Sequence, residues 1–365
     1  MRVLINRSDA IGDSILTSSM AKMIKEKFPE ARVTFLIAAK SADLFKNHPY
    51  IDEVKIYHRN ARFYIKIREV LRFFSEVKPT HYFYVGGGYL PNFVAWLRLV
   101  PFRGGLKSRW HTYLFLNKGI RQKRSMVAMH EMEYNLNLLS PMGIDYNYQD
   151  KRIYSPEISL TKDEIEINNN LFEADLVKNE MDFKDRKMIF IHPGMTGHTL
   201  NWSSRNYGRL ILRLEQKFPE KFLFVLSHTP ADNFFLHGVK EILEKKENEF
   251  LRKRIYFFNG VKLGLRHYMS VLSKASLFVG PSTGTTHIAS VLGVPVVTLY
   301  SPIKVQSALR WGPLPKSPEK MKVLVPDVIC GETKKCAERE CPYYECMGKI
   351  EVDDVLKQAV AIMDL

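Results

Sequence analysis

The chain has no long apolar run and few cysteines, and each shortage narrows what it can be. The uncharged stretch Tyr82 to Leu97 carries three consecutive glycines and Pro91, so it is too short and too interrupted to span a bilayer. The N-terminal MRVLINRSDAIGDS lacks the basic–apolar–small layout of a signal peptide and reads as a strand from residue 2. No repeat at solenoid periods and no low-complexity tract is present. The only early glycine is Gly12, so the G-x-G-x-x-G of a dinucleotide-dependent oxidoreductase is missing. These absences leave a cytoplasmic, water-soluble protein as the expectation.

Acid is also in short supply. Fifty-four Lys and Arg against 39 Asp and Glu leave a net charge of +15. The basic residues gather in Arg59 to Arg72 and Arg98 to Arg124, the second stretch including Arg103, Lys107, Arg109, Arg121, Lys123 and Arg124. Trp96, Trp110, Tyr113 and Phe115 are interleaved with them. Such a surface suits an anionic partner: nucleic acid, an acidic membrane face or a phosphorylated lipid. A solvated basic face with no partner has the same composition.

At 365 residues the chain has room for two domains of ordinary size. Residues 2–7 read as a strand, Ser14 to Phe28 as a helix and Arg32 to Ala38 as a strand. Short strands follow at Val54 to Tyr57 and His81 to Val85, with a helix at Tyr64 to Phe74 between them. His130 to Leu139 reads as the helix that ends the first half. Residues 143–160 are polar and aperiodic, as a connection is, and Thr161 to Glu180 is a charged helix. The pattern then restarts with strands at Lys187 to His192, Phe222 to Ser227 and Ile255 to Phe258. Between and after them stand helices at Asn206 to Phe218, Lys240 to Lys246 and Tyr268 to Ser273. Two successive doubly wound α/β domains are the economical interpretation, with ligands at the carboxyl ends of their strands.

Ser276 to Pro302, SLFVGPSTGTTHIASVLGVPVVTLYSP, is a strand–loop–helix–strand unit whose loop is built from glycine and hydroxyl residues. Gly284 allows close backbone approach, and a helix start attracts anions, so the loop suits a phosphate-bearing ligand. A tight turn capped by Ser and Thr would read the same way. Gly194, Thr196 and Gly197, after the strand ending at His192, form a second cradle suited to a diphosphate. Asp13 stands where the first strand hands over to the first helix. It is placed either as a general base or as that helix's N-cap, with Asp9 as a neighbouring candidate.

Four segments, in order, resemble glycosyltransferase family 9, the lipopolysaccharide heptosyltransferases. They are RSDAIGDSILT (7–17), HPGMTGHTLNW (192–202), PSTGTTHIASVLGVPVV (281–297) and RWGPL (310–314). The resemblance spans nearly the whole chain and implies a GT-B architecture, two Rossmann-like domains facing a cleft. It implies boundaries of 1–155 for an acceptor domain containing Gly12, and 156–350 for a nucleotide-sugar domain. A helix at 351–365 would pack back on the first domain. Further implications are inversion at the anomeric carbon, no metal in the chemistry, and work at the cytoplasmic face of the inner membrane as a peripheral protein. An anionic glycolipid would be the acceptor, and nucleic acid is not a partner.

The family pattern puts its base at Asp13 and its donor contacts at Thr283, Gly284 and His287, with Thr285 beside them. Asp232 stands near the expected nucleoside, or is a plain turn aspartate. His287 faces either the ligand or the core. Two departures bear on the donor. The family's acidic residue on the sugar is Ser282 here, which cannot make a carboxylate's charge-assisted bond. A lysine before the tryptophan corresponding to Trp202 is replaced by Leu200 and Asn201, so the point charge on the pyrophosphate is either missing or supplied by His198 or Arg205. ADP-heptose is the donor the resemblance implies. Another nucleotide-hexose with a protein or other glycan acceptor, or a sugar-nucleotide binder without catalysis, fits the departures.

Cys330, Cys336, Cys341 and Cys346 are separated by five, four and four residues. Every thiol in one polar stretch favours a structural zinc or iron clip over disulfides, with reduced free thiols as the alternative. The spacing lacks the close pairs of a compact zinc finger, which argues against a nucleic-acid-binding role.

Overall fold

The computed structural model describes every residue except 146–150, Thr196, His198, 332–334, 364 and 365, and gives only the backbone of Lys151 and Arg152. The chain divides into two compact units, Met1–Ser159 and Leu160–Leu365.

In the first unit the strands are β1 (Arg2–Arg7), β2 (Arg32–Ile37), β3 (Glu53–Ile56), β4 (His81–Gly86), β5 (Phe102–Leu106) and β6 (Lys118–Ile120). All pair in parallel, in the order β3-β2-β1-β4-β5-β6. Its helices are α1 (Ile11–Lys27), α2 (Phe63–Val77), α3 (Leu90–Leu97), α4 (Trp110–Phe115) and α5 (Glu131–Leu136). β1 and β2 are buried from their second residue on, which is why RVLINR and RVTFLI read as continuous runs rather than alternating ones. Strand order reverses between β1 and β4, and the crevice beyond their carboxyl ends is where such sheets bind ligands.

The second unit repeats the plan. After α6 (Lys162–Lys178) come β7 (Lys187–Ile191), α7 (Ser204–Lys217), β8 (Phe222–His228), α8 (Asn233–Leu243), β9 (Ile255–Asn259) and α9 (Gly264–Leu272). β10 (Leu277–Pro281), α10 (Gly284–Val291), β11 (Val296–Leu299), α11 (Ala308–Trp311), β12 (Met321–Leu324) and α12 (Val352–Ile362) complete it. The order β12-β11-β10-β7-β8-β9, again all parallel, reverses between β7 and β10. Each unit is therefore doubly wound in the Rossmann manner.

Two expectations are corrected. The first helix begins at Ile11, three residues earlier than its sequence suggests, because Ala10 starts it without a side-chain cap. Asp13 is thus in the first turn and is not the N-cap. α12 packs on α7, β11 and β12, and Val355, Ala359 and Ile362 are consumed by the second unit's core rather than by the first domain.

α1 is buried almost all round although it carries Ser14, Thr17, Ser18 and Ser19. Three of those hydroxyls bond back to backbone carbonyls: Ser14 to Ala10, Thr17 to Asp13 and Ser18 to Ile15. That local bonding lets a polar helix start sit inside the fold.

Candidate active site

In the first unit β1 ends in Arg7, whose side chain is buried. Its guanidinium forms an ion pair with Asp13 and donates to the carbonyl of Val85 at 2.9 Å. It also lies 3.4 Å from Asp9 and 3.8 Å from Glu131. Burial alone would pull the Arg7 pKa down, but Asp13, Glu131 and Asp9 together hold it above its ordinary value. Glu131, itself buried, pairs in turn with Arg124, which also donates to Asn135 at 3.0 Å. Asn135 reaches Thr17 at 3.2 Å, one turn along α1 from Asp13. Asp13 is thus the partly exposed end of a buried chain of charges.

Gly86 explains part of the triple glycine. A side chain there would meet the Asp9 carboxylate at 2.4 Å and Arg7 at 3.1 Å. Reading the sequence missed Arg7, Glu131 and Gly86. The available signal was an arginine ending an otherwise apolar strand.

The basic surface is only partly as expected. Arg109, Arg121 and Lys123 are exposed and Lys107 half-buried. Arg124 is buried against Glu131, so it belongs to the interior and cannot greet an acceptor. Arg103 is half-buried, donating to the carbonyls of Phe115 and Val100 at 2.8 and 2.5 Å, and burial lowers its pKa. It ties β5 to the end of α4. Gly12 lies in the first turn of α1 beside Asp13.

In the second unit Gly194, Asp232 and Ser282 to Gly284 follow the carboxyl ends of β7, β8 and β10. His192 is buried, its Nδ1 3.0 Å from the Ser227 carbonyl. Burial lowers its pKa against the opposing pull of Asp232. Asp232 accepts from the Thr229 amide and hydroxyl, both at 2.8 Å, and closes a short turn. Gly194 abuts it: a Cβ there would lie 2.2 Å from the carboxylate. Asp232 therefore closes this turn and shapes the loop beneath Gly194. Gly197 is exposed with φ +74°, while Thr196 and His198 lie outside the described residues.

Ser282, Thr283, Gly284 and Thr285 are half-buried at the start of α10, and no side chain caps that helix. The Thr283 and Thr285 hydroxyls are 2.8 Å apart, and Thr286 turns inward to the Pro281 carbonyl at 2.5 Å. Two tyrosines of this unit are buried and have pKa values raised by burial: Tyr300, whose hydroxyl donates to the Trp311 carbonyl at 2.7 Å, and Tyr268, whose hydroxyl lies 3.4 Å from Ser227 Oγ. Sequence reasoning missed both tyrosines. His287 is buried one turn into the helix. Arg205, one of the two candidates for the missing lysine's charge, is paired with Glu241 at 2.5 Å on the surface.

The four thiols are unbridged, and Cys346 is buried. Its pKa is raised by burial and then by Cys330, Cys336 and Cys341. The amides of Glu338 and Tyr343 point at the sulfurs of Cys336 and Cys341, at 3.3 and 3.4 Å. Among the described residues no three His, Cys, Asp or Glu side chains are arranged to hold a metal ion, so the zinc or iron clip finds no support.

Comparison with known proteins agrees with this geometry. The profile of glycosyltransferase family 9 (heptosyltransferase) matches residues 93–344. A Haemophilus influenzae protein provisionally named a glycosyltransferase is 26% identical over 86% of each chain. Lipopolysaccharide heptosyltransferase 3 of Escherichia coli is 23% identical over 79% of each. Among solved structures, a family 9 glycosyl transferase of Veillonella parvula has a TM-score of 0.77 at 18% identity, covering 99% of this chain and 96% of its own. ADP-heptose lipopolysaccharide heptosyltransferase II of E. coli gives 0.76 at 18% identity, covering 99% and 98%. With paired Rossmann-like sheets of GT-B type and a profile match across most of its length, the chain belongs to glycosyltransferase family 9 and is a glycosyltransferase.

Proposed function

We propose that the protein is an inverting transferase that moves a heptose or related sugar from ADP-heptose to a phosphorylated lipopolysaccharide-core glycolipid. The first unit would hold the acceptor and the second the nucleotide-sugar. Asp13 takes the proton of the acceptor hydroxyl as its oxygen bonds to the anomeric carbon. The bond to the diphosphate breaks with inversion, and the start of α10 receives the departing charge. Arg109, Lys107, Arg121 and Lys123 attract the acceptor's phosphates. No metal takes part, and the work is placed in the cytoplasm.

The observation that carries this reading is the Asp13 carboxylate, held by a buried arginine at the switch point of its sheet. Two relatives named lipopolysaccharide heptosyltransferases, from E. coli and Campylobacter coli, support the donor and acceptor class. A hexose donor with a protein or other glycan acceptor is the second reading. It is favoured by Ser282, a neutral hydroxyl residue at the start of α10 where the family pattern carries a carboxylate for the sugar.

The test is a transfer assay with ADP-heptose and a panel of ADP-, GDP- and UDP-hexoses, followed by mass spectrometry of the acceptor. Asp13→Asn should lower kcat by roughly 10²- to 10⁴-fold with donor affinity kept. Undiminished turnover would remove Asp13 from the role. Transfer from a hexose donor alone would replace the first reading by the second.

A further inference from the structure

We infer that the outer face of α3 and α4 docks on an anionic lipid bilayer. The inference deepens the glycolipid reading by naming the surface that meets the acceptor's membrane, yet it stands on observations of its own.

α3, LPNFVAWL, is apolar except for Asn92, which is buried and accepts from the Tyr82 hydroxyl at 2.6 Å. A helix of that kind is ordinarily enclosed. Here Leu90, Pro91, Val94 and Ala95 are buried, whereas Trp96 and Leu97 stand in solvent. α4 beside it exposes Trp110, Tyr113 and Leu114, with Trp110 66% accessible. The two helices share one aromatic surface: Phe115 lies 5.6 Å from both Phe93 and Trp96, and Trp110 6.3 Å from Tyr89, ring centre to ring centre. A contiguous exposed patch of this composition marks a binding face rather than scattered surface residues.

Leu99 adds an independent sign. α3 closes with the Val100 amide bonded to the Ala95 carbonyl and the Leu99 amide to Trp96. Leu99 is the left-handed residue of that turn, at φ +52°. Glycine is the unstrained choice there. The chain instead holds a leucine in a costly conformation and leaves it 79% exposed.

Charge says what covers the face. Between Glu76 and Glu131 the sequence contains no acidic residue. Arg98, Arg109 and Lys118 are exposed around the aromatic surface. Tryptophan and tyrosine at the level of lipid headgroups, flanked by cations, suit an anionic bilayer. A face that only met protein would gain little from excluding acid over so long a stretch.

The experiment uses the full chain and vesicles of phosphatidylcholine, alone or mixed with phosphatidylglycerol, read by co-sedimentation and tryptophan fluorescence. The protein should pellet with the anionic vesicles, show a blue-shifted emission, and be released by high salt. Trp110→Ser and Leu114→Ser should each weaken vesicle affinity by about tenfold. Leu99→Gly separates docking from folding, because it relieves backbone strain: it should raise Tm while weakening vesicle binding. Transfer to a soluble, delipidated acceptor should stay unchanged in all three, so this inference and the proposed reaction fail separately. Equal binding to neutral vesicles, unchanged binding by the variants, or a patch-dependent dimer in place of vesicle binding would overturn it.

Discussion

Arg7 and Asp13 face each other across the turn between β1 and α1, the last residue of the strand clasping a first-turn residue of the helix. The pair sits where α1 also presents its helix N-terminus, a favourable place for a carboxylate. Arg7 touches Asp13, Asp9 and Glu131 together, while Arg59 also reaches Asp9 and Arg124 also reaches Glu131. Replacing Arg7 by methionine would remove the buried cation that Asp13 pairs with and leave three carboxylates closer to uncompensated. Arg7→Met is expected to cost about 3 to 5 kcal/mol of stability. Arg7→Lys, which keeps the charge but not the fork, should lose less stability yet still misplace Asp13. Denaturant unfolding measures the first effect and kcat at saturating donor the second. A methionine variant as stable as the parent would show that Arg7 does not hold this corner.

Gly194 and Asp232 form the corresponding contact of the second unit. The carboxylate cannot swing away from an added Cβ, because the Thr229 amide and hydroxyl both hold it. Gly194→Ala should therefore cost about 1 to 3 kcal/mol through overpacking. Asp232→Ala alone loses the turn's cap, about 1 kcal/mol. The double variant should be less destabilised than the sum of the two, since the second change removes the clash made by the first. Additive costs in a double-mutant cycle would deny the contact.

The two α/β repeats were legible because strands buried on both faces leave unbroken apolar runs, as in MIFI of β7 and FLFVLS of β8. The glycine–hydroxyl loop before α10 was legible for the same local reason, a turn chemistry written in consecutive residues. The stretch α3-β5-α4-β6 was not. α3 has no polar face to give a helical period, and β5 carries Gly104 and Gly105, residues depleted from strands. Arg124 was read as surface because charge counts do not show partners. Glu131, seven residues on, buries it. Asp13 stands out in the sequence as a carboxylate where β1 hands over to α1, whereas Arg7, a buried arginine at a strand end, looks like the strand's edge.

Arg254 and Glu215 make a buried, two-pronged ion pair between α7 and the turn before β9, at 2.7 and 2.9 Å. Both side chains are nearly inaccessible. Losing one partner strands the other charge, so Arg254→Leu should cost about 3 to 5 kcal/mol. Arg254→Leu combined with Glu215→Leu should recover much of that loss, because paired removal leaves no orphan charge. Thermal and urea unfolding of the three variants checks this. A double variant no better than Arg254→Leu alone would mean the pair's packing, rather than its charge, is what the fold needs.

His48 supplies a pH dependence whose direction can be stated. Its ring is buried beside Phe45 and Tyr50, and Nδ1 accepts from the Tyr50 amide at 3.2 Å. Burial, opposed in part by Glu157, lowers its pKa from 6.5 to about 4. The unfolded chain thus binds a proton near pH 6.5 that the folded chain refuses until about pH 4. The contribution of His48 is complete above pH 6.5 and drains away as pH falls to about 4, amounting to about 3 kcal/mol. His192, also depressed, adds loss in the same direction, so the comparison must be a difference. Stability of the parent minus that of His48→Gln should fall with pH across this window and be level above it. A difference that stays flat from pH 7 to pH 4 would mean that His48 is protonated in the folded protein as readily as in the unfolded one.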